Sequence, residues 1–201
     1  FNPGKIVDTP PMDTSLRHSA GQGTPDYETV FDFSDTMGVL RASEKCNGSG
    51  DCRKGPQAGG TMCPSYMATR EEKHTTRARA NILRQILTEP ADAEHPFNSE
   101  EVKEVMDLCL SCKACKSECP SSVDMTKLKA EFQQHYHEAN GVPLRSRMVA
   151  HFADSARLAS FAPRLYNAFF QTPILRRIAN PLIGFHSERS IPRLNRITLR
   201  R

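Results

Sequence analysis

Cys109-Leu-Ser-Cys-Lys-Ala-Cys-Lys-Ser-Glu-Cys-Pro120 is the stretch from which the fold can be predicted, because its cysteines follow the pattern C-x₂-C-x₂-C-x₃-C-P. Three thiolates spaced by two residues can converge on three corners of one iron-sulfur cube. The fourth cysteine, Cys119, follows a longer step and precedes a proline, and in proteins with two clusters a cysteine at this position ligates the other cluster. The motif therefore predicts a 4Fe-4S site and a second cysteine group elsewhere in the chain.

The second group consists of Cys46, Cys52 and Cys63, so all seven cysteines of the chain lie in these two regions. The cross-ligation rule assigns Cys63, which also precedes a proline, to the cluster of the second motif. The predicted ligands of a complete 4Fe-4S cluster are then Cys63, Cys109, Cys112 and Cys115. The remaining cysteines, Cys46, Cys52 and Cys119, form a second site that is one thiolate short.

The missing ligand has a definite position, since residues 46–52 would also read C-x₂-C-x₂-C if Ser49 were a cysteine. This gap resembles the iron-sulfur subunits of succinate dehydrogenases and fumarate reductases, in which a non-cysteine residue accompanies a 3Fe-4S cluster. The alternatives are a 4Fe-4S cluster whose fourth iron is held by Ser49, Asp51 or water, and an empty site. Gly48 and Gly50 let the loop backbone approach an anion closely.

Two other uses of the cysteines fit the spacing less well. Structural zinc is typically bound by two separated C-x₂-C pairs, or by cysteine with histidine, around one tetrahedral ion. A disulfide framework would leave one of the seven thiols unpaired, and nothing in the sequence indicates secretion. Iron-sulfur binding is therefore the favoured interpretation of both groups.

Basic side chains are concentrated shortly after Cys63. These are Arg70, Lys73, His74, Arg77 and Arg79. Positive charge near an anionic cluster would stabilise it and shift its reduction potential. The alternative for any one of these residues is that it is an ordinary charge on a solvated helix. His74 is also a candidate metal ligand, though a less favoured one.

The rest of the sequence predicts a mainly α-helical fold. Proline and glycine in residues 1–30 indicate turns and an extended linker. Helices are expected over 64–89 with Ser65 as cap, from Asn98 onward, where Glu101 completes a capping-box pattern, and from Asp124 to Ala139. Because helices lead into and out of both cysteine motifs, the pattern indicates an α-helical ferredoxin-like domain.

The C-terminal part is basic and amphipathic. Residues 142–201 contain 11 Arg against Asp154 and Glu188, a net charge of +9, which leaves −5 for residues 1–141. Prolines divide this part into short helices whose apolar residues would be exposed in isolation. An ordinary solvated face, or contact with an acidic neighbouring domain, is favoured over contact with an anionic membrane surface, and no motif supports nucleic-acid binding. No run of about 18 apolar residues and no signal peptide occurs, which favours a cytoplasmic location, peripheral to the inner membrane face in the alternative.

Three segments, Cys46–Arg53, Cys63–His74 and Cys109–Pro120, together resemble the large fusion proteins of an FAD-linked oxidase and an iron-sulfur oxidoreductase, which act on D-2-hydroxy acids. Phe1-Asn-Pro-Gly-Lys-Ile6 is similar to the end of their FAD-linked oxidase domain. The resemblance spans most of residues 1–135. It implies an interior fragment, with FAD and substrate bound by an upstream FAD-linked oxidase domain and with a cysteine-rich domain downstream.

The resemblance also implies a domain organisation and a role. Residues 1–30 would end the upstream domain and form a linker, 31–141 would form the iron-sulfur domain, and 142–201 would form an Arg-rich helical connector. The implied role is electron transfer in an FAD-dependent D-lactate or D-2-hydroxyglutarate dehydrogenase, with electrons passing singly from flavin to an acceptor and no catalytic residue in this fragment. Alternative hypotheses are an iron-sulfur subunit of a quinone-linked complex and a structural metal-binding interaction module.

Overall fold

The computed structural model describes residues 4, 6–14, 16–19 and 21–195. Over these ranges the chain is mainly α-helical and contains no β-strand, so the predicted fold class is confirmed. Most of the Phe1–Ile6 motif and the arginines from Arg196 onward lie outside the described residues. Contacts divide the chain into two units, Phe1–Ala139 and Asn140–Arg201, while the finer boundaries at residues 30 and 141 stay predictions.

The first unit is built from helices that surround one apolar core. They are α1 (Val39–Glu44), α2 (Pro64–Thr69), α3 (Thr76–Thr88), α4 (Glu100–Asp107), α5 (Ala114–Glu118) and α6 (Met125–Asn140). Helix α3 packs against both α1 and α4. Leu83, Leu87 and Phe132 are completely buried in this core. Short 3₁₀ turns connect the helices around the cysteines.

The described part of residues 1–30 contains no helix, as predicted, and the end of this segment is fixed to the core by hydrogen bonds. The backbone amides of Val30 and Phe31 donate to the buried carboxylate of Glu131 on α6, at 2.8 and 2.9 Å. The Tyr27 hydroxyl donates to the carbonyl oxygen of Leu87. These bonds hold the entrance to α1, and therefore the approach to Cys46, against α3 and α6.

The predicted single helix over 64–89 is wrong, because the structure has two helices with a reversal between them. Helix α2 ends where Arg70 adopts a positive φ of 62°, and α3 starts after Thr75, whose Oγ1 accepts the Ala78 amide at 3.0 Å. Ser65 is not the helix cap: its hydroxyl donates to the carbonyl of His74 at 3.0 Å. The reversal turns the start of α3 back toward the start of α2.

The helices on either side of the second cysteine motif begin close to their predicted positions. Ser99, one residue after the predicted Asn98, caps α4 and accepts the Val102 amide at 3.3 Å. Asp124 precedes α6 as predicted, and its carboxylate accepts the Lys127 amide at 3.1 Å. The chain between these helices contains all four cysteines of the motif.

The second unit consists of short helices: α7 (Leu144–Ala150), α8 (Phe152–Ala159), α9 (Pro163–Gln171) and α10 (Pro173–Leu182). Pro163 and Pro173 occupy first positions of helices, whereas Pro181 lies inside the last turn of α10. Between residues 140 and 195 no apolar side chain is buried. In the part of the chain that the structure describes, every helix is too short or too polar to span a bilayer.

Candidate metal centre

Cys63 and the second cysteine motif meet at one cavity. Its wall includes Cys63, Cys109, Cys112 and Cys115. Thr76 and Arg79 from α3 and Met125 from α6 line the same space. The structure thus brings together the four residues that the sequence assigns to a 4Fe-4S cluster, while their role as ligands stays a prediction.

The sulfur of Cys63 lies at the N-terminus of α3. The Thr76 amide donates to it at 3.1 Å, and the Thr76 hydroxyl lies 2.9 Å from it. Unpaired amides and the helix dipole at this end of a helix favour negative charge, so the position suits a thiolate. The reversal at Arg70 therefore has a chemical consequence, because it delivers a helix N-terminus to Cys63.

Cys52 is the neighbour of Cys63. A hydrogen bond from the Cys63 thiol lowers the pKa of Cys52, while the same contact, together with burial, raises the pKa of Cys63. The pair therefore favours one thiolate and one thiol in the metal-free protein. Because Cys52 was assigned to the second site and Cys63 to the first, this contact places the two predicted sites side by side.

The loop that carries Cys109, Cys112 and Cys115 contains two residues in an unusual conformation. Ser111 and Lys113 have φ values of 53° and 64°, a region that costs a non-glycine residue roughly 1–2 kcal/mol. The two turns direct the three cysteines to one cavity, with Cys112 exposed and Cys115 buried. Burial raises the pKa of Cys115, which favours the thiol in the metal-free protein, whereas a bound metal would deprotonate it.

The cysteines of the second site are buried or half-buried, with Cys52 the buried one. Cys46 follows α1 and is half-buried, as is Cys119 after α5. Gly48 and Gly50, between Cys46 and Cys52, have φ values of 78° and 83°, in agreement with the predicted use of glycine in this loop. Ser49 is exposed at the position of the missing thiolate. The assignment of Cys46, Cys52 and Cys119 to one cluster stays a prediction.

Glu118 links the two cysteine regions, and the sequence reasoning missed it. Its carboxylate accepts the amide and hydroxyl of Thr61, both at 2.8 Å, and the amide of Met62 at 3.1 Å. These hydrogen bonds hold the pKa of Glu118 below its ordinary value. The carboxylate therefore fixes the residues before Cys63 to the residue before Cys119, although no pattern in the sequence marks it for this task.

Of the five basic residues shortly after Cys63, only Arg79 lines the cysteine cavity, which the more distant and exposed Lys113 also lines. Arg70 and Lys73 are exposed, and Arg77 forms an ion pair with Glu72 at 2.6 Å. Solvated charges of this kind are screened by water. Of these five residues, therefore, only Arg79 remains a candidate for stabilising the negative charge of a cluster.

His74 does not line the cysteine cavity. Its Nδ1 lies 2.8 Å from the hydroxyl of Thr69. Burial lowers the pKa of His74, which favours the neutral ring. Among the described residues, no three His, Cys, Asp or Glu side chains form a group that could hold a single metal ion.

Lys129 is a second buried cation near the cysteines, and the sequence reasoning missed it too. Its ammonium group donates to the carbonyl oxygens of Met106 and Cys109, both at 2.7 Å. A signal was available, because Lys129 interrupts the apolar face of α6 formed by Met125, Leu128 and Phe132. Lysine is rarely buried unless it is paired, so a lysine on an apolar helix face indicates a specific interaction.

All seven cysteines lie between positions 46 and 119, and comparison with known families covers the same region. Residues 45–124 match the 4Fe-4S dicluster domain family. The cavity fits such a domain, since it combines four thiols, a helix N-terminus and a buried guanidinium. The predicted iron-sulfur character of the chain is confirmed.

The chain is also similar to curated proteins of greater length. It is 29% identical over 220 residues to the D-2-hydroxyglutarate dehydrogenase of Escherichia coli K12, covering 92% of this chain and 21% of that protein. It is 27% identical over 234 residues to the same-named protein of Pseudomonas putida KT2440, with 97% and 22% covered. The probable glycolate oxidase iron-sulfur subunit of Bacillus subtilis 168 is 27% identical over 88 residues, with 43% and 19% covered.

The chain spans about one fifth of the length of these relatives, 21% in the first of them. The predicted resemblance to an iron-sulfur fragment of a D-2-hydroxyacid dehydrogenase is confirmed by the dicluster match and by these relatives. No solved structure matches the chain.

Proposed function

We propose that this chain is the iron-sulfur electron-transfer region of an FAD-dependent D-2-hydroxyacid dehydrogenase. The observation that supports it most is the cavity shared by Cys63, Cys109, Cys112 and Cys115. When bound there, a 4Fe-4S cluster would supply one-electron chemistry, whereas oxidation of a hydroxy acid releases two electrons. The region would therefore pass electrons singly from flavin to an acceptor, without catalytic residues of its own.

The extent of the similarity favours D-2-hydroxyglutarate as the substrate of the whole protein, with D-lactate as the alternative. Relatives named D-2-hydroxyglutarate dehydrogenase match 92% and 97% of this chain, far beyond residues 45–124. The glycolate oxidase iron-sulfur subunit matches 43%. The partners would then be an upstream FAD-linked oxidase domain and a downstream cysteine-rich domain of the same polypeptide, in the cytoplasm.

The chain would hold two clusters. Cys63, Cys109, Cys112 and Cys115 would bind the complete 4Fe-4S cluster, and Cys46, Cys52 and Cys119 would bind a 3Fe-4S or incompletely ligated 4Fe-4S cluster. Ser49 supports the second assignment, because it is exposed in a loop whose Gly48 and Gly50 already have the conformation expected around a cluster. The proposal also assigns residues 1–30 to the end of the upstream domain and a linker, 31–141 to the iron-sulfur domain, and 142–201 to the Arg-rich helical connector.

Metal analysis of the anaerobically purified chain tests the cluster proposal. We expect iron and acid-labile sulfide in near-equal amounts, with an electron paramagnetic resonance (EPR) signal of a three-iron centre before reduction and of a 4Fe-4S centre after it. Zinc without sulfide would falsify the redox role and would support the structural module instead.

The substrate proposal needs the full-length protein. Under anaerobic conditions, addition of D-2-hydroxyglutarate should bleach both the flavin and the iron-sulfur absorption, and L-2-hydroxyglutarate serves as the control. In a Cys109→Ser variant the flavin should still be bleached, while transfer to an external one-electron acceptor is lost. If only D-lactate bleaches the flavin, D-lactate is the substrate and the proposal of D-2-hydroxyglutarate is wrong.

A further inference from the structure

Arg79 is a buried cation without a carboxylate partner. It is 2% exposed, and its Nε, Nη1 and Nη2 donate to the carbonyl of Val105 at 2.9 Å, the carbonyl of His74 at 2.7 Å and the hydroxyl of Ser65 at 3.1 Å. All three acceptors are uncharged. Arginine is rarely buried unless an anion balances it, so these bonds satisfy its donors but leave its charge uncompensated.

Lys129 on α6 repeats this arrangement. It is 7% exposed, and it approaches the same end of α4 from α6. In the part of the chain that the structure describes, no carboxylate lies within ion-pair distance of Lys129 or Arg79. Burial lowers the pKa of each, and Arg79 lowers the pKa of Lys129 further because the two positive charges repel each other.

The negative groups that act on these cations are the cysteines of the first site and, for Lys129, also the carboxylate of Asp107. When ionised, the sulfurs of Cys109, Cys63, Cys115 and Cys112 would raise the pKa of Arg79, in that order of strength, and the sulfur of Cys109 would also raise the pKa of Lys129. Arg79 lines the cysteine cavity itself, and Lys129 holds the carbonyl of Cys109. One buried positive charge therefore lines the cavity where four thiolates are predicted, and a second is bound to the backbone of one of its cysteines.

We propose that Arg79 and Lys129 are the fixed counter-charges of the cluster held by Cys63, Cys109, Cys112 and Cys115, and that together they raise its reduction potential. The inference rests on the proposed function. Reduction by an external one-electron donor adds one electron, and therefore one unit of negative charge, to the centre without breaking a bond. Buried cations stabilise that extra charge more than exposed ones, because water screens them less.

A purely structural role is the competing explanation. Val105 and Met106 lie in the last turn of α4, where carbonyl groups lack helical partners and attract basic side chains. In that case Arg79 and Lys129 would only cap the helix, and their charge would be incidental. The two explanations differ in what they predict for a neutral side chain that can still donate a hydrogen bond.

The test uses the reconstituted chain and the variants Lys129→Gln, Lys129→Arg and Arg79→Lys, with Lys127→Met as control. Lys127 lies on the same helix, but it contacts the Phe33 ring and not the cysteine cavity. An EPR-monitored titration with dithionite measures the midpoint potential. We expect Lys129→Gln to reduce the ratio of reduced to oxidised cluster about tenfold at a fixed solution potential. This corresponds to a midpoint potential lower by about 59 mV for one electron. Lys129→Arg, Arg79→Lys and the control should each change the ratio by less than threefold.

Thermal unfolding of the metal-free proteins is the second readout. Without a cluster, Lys129→Gln removes one of two repelling charges but keeps a hydrogen-bond donor, so its melting temperature should be unchanged or higher. An unchanged potential in Lys129→Gln with cluster bound overturns the inference, whatever the melting temperature. If the wild-type protein contains iron and sulfide, such a result does not contradict the proposed function. Zinc in the wild-type protein overturns both.

Discussion

The two cysteine sites differ in how they neutralise charge. At the first site, formed by Cys63 and the 109–115 motif, Arg79 and Lys129 are buried and a helix N-terminus adjoins a sulfur. At the second, the Cys46 carbonyl accepts a hydrogen bond from the exposed Arg17 at 2.8 Å, and Ser49 replaces a thiolate. A buried positive charge stabilises an anionic cluster, whereas an exposed one is screened by water. The first site is therefore organised to hold a more negative centre.

Removal of a ligand from each site should have the largest effect. We expect Cys109→Ala to lose about four irons per chain and the signal of the reduced 4Fe-4S centre, while the three-iron signal persists. Cys46→Ala should do the reverse and lose about three irons. Iron analysis and EPR on the same samples measure both. If the three-iron signal disappears in Cys109→Ala and survives in Cys46→Ala, the assignment of ligands to the two sites is wrong.

The substitution Ser49→Cys should reduce the difference between the sites. A fourth thiolate at this position would hold one more iron, about four instead of about three, and the three-iron signal should be replaced by one that appears on reduction. Ser49→Ala is the matched control and should leave the three-iron signal intact. An unchanged iron content in Ser49→Cys would show that Ser49 does not occupy the vacant ligand position.

The contact between the two sites can be tested at Gly60. A Cβ atom on Gly60 would collide with the Glu118 carboxylate, and its φ of 81° disfavours any other residue. Gly59 has a φ of 73°, but no atom lies within 4 Å of the position that its Cβ would take, so Gly59→Ala isolates the cost of the backbone conformation. We expect Gly59→Ala to lose roughly 1–2 kcal/mol of unfolding free energy.

Gly60→Ala should lose more than this control and should also release iron faster from both sites, because Glu118 fixes the segments before Cys63 and Cys119. Urea unfolding of the metal-free proteins and iron release to a chelator measure the two effects. Equal loss in the two variants would mean that the contact with Glu118 contributes nothing to either site.

The sequence was sufficient for the features that depend on periodicity and spacing. The buried face of α4, with Val102, Val105 and Met106, follows from the apolar pattern, and Asp124 is recognisable as a cap. The shared cavity of Cys63 and the second motif agrees with the cross-ligation rule. These features are local, or they are attached to a recurring motif.

The features that depend on three-dimensional hydrogen bonding could not be predicted in this way. The break between α2 and α3 lets Ser65 and Arg79 share the carbonyl of His74, a pattern with no periodic signal. Glu118 and Lys129 act across 57 and 20 residues of chain, respectively, so their partners are identified only once the helices are packed. Thr75 was the local signal that was overlooked, since threonine is a common N-cap.

The smallest expected effect concerns the start of α6, the helix that carries Lys129 to the first site. Burial alone would raise the pKa of Asp124, but the ammonium group of Lys116 and the Lys127 amide hold it below the ordinary 3.8. Because the folded-state pKa is the lower one, this stabilisation is present above that ordinary value and is lost as the pH falls through the lowered pKa. Asp124→Ala should lose about 1 kcal/mol of unfolding free energy at neutral pH, and Asp124→Asn less, because asparagine still caps.

Acid titration of the metal-free proteins should separate these two contributions. Between about pH 5 and pH 2 the wild-type protein should lose stability faster than Asp124→Asn, which has no carboxylate to protonate at this position. In the cluster-bound protein at neutral pH, Asp124→Ala should release iron faster from the first site than from the second. The reason is that α6 contributes Met125 and Lys129 to the first site. Equal release of iron from both sites would mean that the two respond as one unit, and the contrast between buried and exposed counter-charges would then not extend to their stability.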